Sequence, residues 1–131
     1  MTSQSFAQTQ VYALLFAATE DAAIKEGTAK SLELIEEELH RMEGVMDGEV
    51  ALTTIPYTDA RFTKEQFYTA VEELDKLDLS DATVLFYFMG HGFRHVEYES
   101  PNLLFHHTNG RVSSAVRDDS SLNLQQVHDA L

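Results

Sequence analysis

Gly90-His91-Gly92 is the tripeptide of this sequence best suited to chemistry. Imidazole exchanges protons readily near neutral pH, and flanking glycines let a backbone come close to a bound molecule. Two acidic residues, Glu20 and Asp21, stand together near the N-terminus. His91, His95, His106 and His107 raise the question of a metal site. The spacing of His91 and His95 would put both on one face of a helix, which Gly90 and Gly92 oppose, and the adjacent His106 and His107 point to opposite faces of a strand. Neither a metal nor another cofactor is therefore expected. His40 and His128 fall on predicted helices as surface or boundary residues. Ser113, Ser114, Ser120 and Ser121 offer hydroxyls, but none occupies a Gly-x-Ser-x-Gly elbow. The stretch 111–121, with Arg117-Asp118-Asp119, reads as an exposed linker open to cleavage or insertion. No glycine-rich phosphate loop is present, which disfavours a nucleotide enzyme.

These residues need elements to hold them. Residues 11–18 are nearly all apolar and too few for a free-standing helix, the pattern of a strand buried on both faces. Over 28–42, Leu32, Ile35, Leu39 and Met42 recur at helical spacing opposite a row of glutamates, predicting a surface helix that ends near Gly44. Residues 49–55 form a weaker strand that Pro56 is expected to stop. Thr63-Lys64-Glu65-Gln66 matches a capping box, after which Phe67, Ala70, Val71, Leu74 and Leu77 mark one helix face. Residues 82–89 combine β-branched and aromatic side chains without a charge, the strongest strand signal in the chain, and are expected at the centre of a sheet. A long loop with a short strand at 103–106 follows. Asn123 then opens a last helix carrying Leu124, Val127 and Leu131 on one side.

The alternation of strand and helix predicts a three-layer α/β/α sandwich with a mainly parallel sheet, its strands ordered second, first, third. In such sheets reactive groups sit just beyond the carboxyl ends of the strands. That is where Gly90-His91-Gly92 and Glu20-Asp21 both fall.

With 131 residues the chain suits one domain, preceded by a polar leader over 1–10. Nine Lys and Arg against 22 Asp and Glu leave a net charge of −13, which repels phosphate backbones and anionic membranes, so neither nucleic acid nor membrane is an expected partner. The absence of cysteine rules out disulfides and thiolate zinc sites. No apolar run approaches the ~20 residues of a membrane span, and no signal peptide opens the chain, so the cytoplasm is the expected compartment.

Taken with the order of elements, Val84-Leu85-Phe86-Tyr87-Phe88-Met89-Gly90-His91-Gly92 resembles the large-subunit region of the caspase and metacaspase superfamily of cysteine peptidases. The likeness runs from about Val11 onward, and Ser121-Leu122-Asn123-Leu124-Gln125-Gln126-Val127 resembles the segment leading into the family's next helix. The resemblance implies that His91 acts as general base and acid beside a thiolate and that the Gly92 amide helps form the oxyanion hole. The family's nucleophilic Cys lies on the strand after that helix, beyond Leu131. The expectation is therefore either the N-terminal part of a longer caspase-like endopeptidase or a catalytically inactive module that binds a partner. The last helix has reached about two turns at Leu131 with no closing residue, which favours the fragment. Metacaspase relatives accept a basic P1 residue through acidic pocket residues, a role the resemblance offers to Glu20 and Asp21. A fragment of this kind would leave a sheet edge open to the remaining segment, a second chain or a second copy.

Overall fold

The computed structural model describes residues 9–46, 48–77, 82–93, 101–106 and 119–131. Strand β1 (Thr9–Ala17) leads through a turn into helix α1 (Lys25–Val45). Strand β2 (Val50–Tyr57), a 3-10 turn (Asp59–Arg61) and helix α2 (Lys64–Asp75) follow. Strand β3 (Ala82–Met89) then precedes three short strands, β4 (Gly92–Phe93), β5 (Asn102–Leu104) and β6 (Ser121–Asn123), and helix α3 (Leu124–Ala130).

The first three strands form a parallel sheet in the order β2-β1-β3, as the crossover argument predicts. Alternation along β1 divides its side chains between two cores. Leu14, Phe16 and Ala18 join α2, α3 and the small sheet on one side, whereas Ala13 and Leu15 meet Leu32, Ile35 and Leu39 of α1 on the other. Both faces of the parallel sheet are thus covered by helices. Phe16 is the centre of the first core: it stacks on Tyr57 at 4.4 Å between centroids and meets Phe67, Phe86 and Phe105.

Several expectations need correction. β1, not β3, is the central strand; β3 lies at the edge among the described residues, and its side chains are mostly half-buried. Pro56 does not stop β2. Thr9 donates to the Glu49 carbonyl and Leu52 donates outward to the Glu43 carboxylate, so even-numbered residues of β2 turn their amides away from β1. Pro56 therefore lacks an N–H only on the outer edge, where none is needed. Helix α1 begins at Lys25 rather than Thr28 and runs through Gly44, and the left-handed turn falls at Gly48 with φ 84°. Met42, Leu77, Leu124 and Leu131, expected on buried faces, are exposed, because each lies at or beyond the end of the surface its helix packs. β1 starts at Thr9, inside the expected leader, whose residues 1–8 lie outside the described residues. The strand foreseen at 103–106 is Asn102–Leu104.

Both helix starts read from sequence hold. The Thr63 hydroxyl accepts from the Gln66 amide at 3.0 Å, and Asn123 forms a reciprocal capping box with Gln126. The small antiparallel sheet, in the order β4-β5-β6, was not foreseen.

Candidate functional site

Parallel pairing of β1 with β3 brings the site together. Ala17 stands opposite Met89, and Ala18 donates to the Met89 carbonyl at 2.9 Å, so the residues after each strand emerge side by side. Asp21 follows one strand and His91 the other. Their side chains meet, with His91 Nε2 3.0 Å from Asp21 Oδ2.

The two partners differ in environment. Asp21 is fully buried, whereas about a third of the His91 side chain is exposed. The carboxylate is fixed from behind: Oδ1 accepts from the Ala23 amide at 3.0 Å, and the Asp21 carbonyl accepts from Lys25 at 2.8 Å as α1 begins. Thr28 braces the same turn by donating to the Ala18 carbonyl at 2.9 Å. His91 Nε2 is itself buried, and the carboxylate oxygen lies off the direction of its N–H, so the contact is close but not an aligned hydrogen bond.

Small-sheet register sets the amides next to the histidine. Gly92 stands opposite Leu103, which puts His91 opposite Leu104, and Leu104 donates to the His91 carbonyl at 2.9 Å. His91 and Phe93 therefore face β5 with their backbone groups, and the intervening Gly92 turns its N–H away from β5. An amide turned out of a ladder is available to an oxygen that develops negative charge.

Beside the pair lies a cleft of about 770 Å³ between the start of α1 and the end of β3, with Lys25, Glu26, Thr28, Ser31, Met89 and Gly90 in its walls. The walls include Ala22 and Gly90, the chain neighbours of Asp21 and His91. A second depression of about 730 Å³ runs along α1 past Leu32 and His40, away from the histidine site.

The two acidic residues read together from sequence part company here. Glu20 is exposed on the turn, whereas Asp21 is buried against His91. His40, His106 and His128 are exposed, and His95 and His107 lie outside the described residues. Among the described residues, no three His, Cys, Asp or Glu converge on a metal position. Ser113, Ser114 and residues 111–118 also lie outside the described residues. Ser121 stands opposite Leu104, which in turn stands opposite His91, so it lies two strand spacings, roughly 10 Å, from the histidine and beyond hydrogen-bond reach.

Two features of this rim went unread in the sequence. Thr19 donates to Asp59 Oδ1 at 2.9 Å, tying the end of β1 to the turn after β2, where Asp59 takes a left-handed φ of 53°. Asn102, opposite Phe93, is buried with its Nδ2 unpartnered among the described residues. The rule that sites gather beyond strand ends would have found Asp59; nothing in the sequence marks Asn102. Among the described residues no helix is long and apolar enough to cross a membrane.

No protein-family model matches the chain, and no curated protein and no solved structure matches it either.

Proposed function

We propose that this domain carries the histidine half of a caspase-like cysteine endopeptidase. His91 is the general base and acid, the Gly92 amide is an oxyanion donor, and the thiolate comes from polypeptide outside these 131 residues, which contain no cysteine. One observation carries the reading: an imidazole about one-third exposed beyond a parallel β-strand, 3.0 Å from a buried carboxylate and next to an outward-turned amide. The thiolate attacks the peptide carbonyl, the carbonyl oxygen takes up negative charge beside Gly92, and His91 delivers a proton to the departing amine. Water then releases the acyl group, with His91 accepting its proton. The exposed Glu20 and the net charge of −13 favour a peptide with Arg or Lys at P1.

The alternative is a module of the same fold that binds a partner without cutting. Its support is that no thiol exists in the chain and that Ser121 lies out of reach of His91. The complete protein, assayed on peptides with Arg, Lys or Asp at P1 beside its His91→Ala variant, separates the two. Cleavage after Arg or Lys that disappears in the variant supports the peptidase. Cleavage that survives His91→Ala removes it, and a complete protein with no cysteine after Leu131 leaves the binding module.

A further inference from the structure

We infer that Asp21 is a positioning residue for His91 and not the carboxylate that receives a basic P1 side chain. This inference rests on the peptidase reading and changes how the two acidic residues divide their work. Asp21 has no exposed surface; its Oδ1 accepts from the Ala23 amide, and its Oδ2 lies against the imidazole, 3.0 Å from Nε2. A P1 guanidinium or ammonium would have to displace the ring to reach it. The backbone around Asp21 is pinned at the first turn of α1, so the carboxylate is a fixed point against which the ring is oriented.

The geometry also divides the two ring nitrogens. Nε2 is the buried one and lies 3.0 Å from Asp21 Oδ2, so with the ring turned to align the two, an ionised carboxylate selects the neutral tautomer protonated at Nε2. Nδ1 is then the bare nitrogen, able to take a proton from a thiol and pass it to a leaving amine. A carboxylate that fixes tautomer and orientation in this way need not itself change protonation. Recognition of a P1 cation falls instead to groups exposed at the rim, of which Glu20 is the acidic one on the same turn.

The test uses the 131-residue chain and needs no activity. Long-range proton–nitrogen correlation spectra, recorded where the imidazole is neutral, report which ring nitrogen carries hydrogen. The wild-type His91 ring should show hydrogen on Nε2. Asp21→Asn can offer its amide N–H to Nε2, so hydrogen should move to Nδ1, while Glu20→Gln should leave the ring unchanged. Hydrogen on Nδ1 in the wild-type ring overturns the inference without any variant having to fold, and so does an unchanged tautomer in a folded Asp21→Asn.

In the complete cysteine-bearing protein, Asp21→Asn should lower kcat by about a hundredfold or more with KM nearly constant, and Glu20→Gln should raise KM for Arg and Lys substrates. A rise in KM with unchanged kcat in Asp21→Asn would return Asp21 to the specificity pocket. If the tautomer moves as expected but the complete protein cleaves nothing, the peptidase reading fails while the hold of Asp21 on the ring stands.

Discussion

The Leu104 amide donates to the His91 carbonyl at 2.9 Å, and this one bond decides which way the next amide points. Were the pairing shifted by one residue, Gly92 would bond into the small sheet and His91 would not. Gly92 also runs close to β5, since a Cβ there would lie 3.2 Å from the Asn102 carbonyl oxygen. Gly92→Ala should therefore push β4 from β5 and cost about 1 to 2 kcal/mol, read as a lower urea midpoint at unchanged slope. In the complete protein its kcat should fall as well.

Gly90 is crowded by rings. A Cβ at this position would come 3.0 Å from the Phe88 ring and 3.1 Å from that of Phe62, and those two rings also pack on Phe105. Gly90→Ala should destabilise the domain by about 1 to 3 kcal/mol. Phe62→Leu in the same chain should recover part of that loss, because it removes one of the two clashes. A double-mutant cycle by chemical denaturation checks this, and strictly additive effects would refute the shared clash.

Burial pushes the Tyr57 phenol above its ordinary range, against the Arg61 guanidinium that lies 4.8 Å from the ring centroid, with Glu73 pushing it further up. A pKa raised in the folded state means that the unfolded chain ionises first. Stability from this group is thus complete below pH of about 10, the unfolded value, and is lost as pH rises through the higher folded value. Denaturation at pH 8 and at pH 10.5 should show a smaller alkaline loss in Tyr57→Phe than in the wild type.

Phe16 touches four other rings and has no exposed surface. Phe16→Ala should cost about 3 to 5 kcal/mol, enough to unfold a domain of ordinary stability at 37 °C. Loss of near-ultraviolet dichroism together with the thermal transition is the expected observation.

On the open side of β3, the Met89 carbonyl faces β1, so Val84 and Phe86 turn their amides outward. Self-association through this edge should appear in sedimentation velocity as concentration-dependent dimer. Val84→Pro, which removes an outward donor and keeps the bonds to β1, should reduce it. A concentration-independent monomer would argue against pairing between copies at this edge.

Strong local patterns were legible in the sequence, and features set by distant partners were not. Residues 82–89 are recovered at both ends because a charge-free aromatic and β-branched run has one comfortable home. The caps at Thr63 and Asn123 were legible because their bonds close within three residues. Pro56 misled because its effect depends on which side of β2 is paired, a fact of tertiary structure. Strands of two or three residues, such as β4 and β6, leave no periodicity to read. The glycines and the strand single out His91 in the sequence, but the burial of Asp21 against it depends on β1 and β3 being neighbours.

Glu43 and Pro56 seal one border of the parallel sheet, the first by occupying a donor and the second by having none. The opposite border carries no such stopper among the described residues, so an incoming strand would meet less obstruction alongside β3 than alongside β2. A newcomer running the same way as β3 would finish its course at the rim where the imidazole waits. A group carried at the carboxyl end of such a strand would then arrive at that same rim.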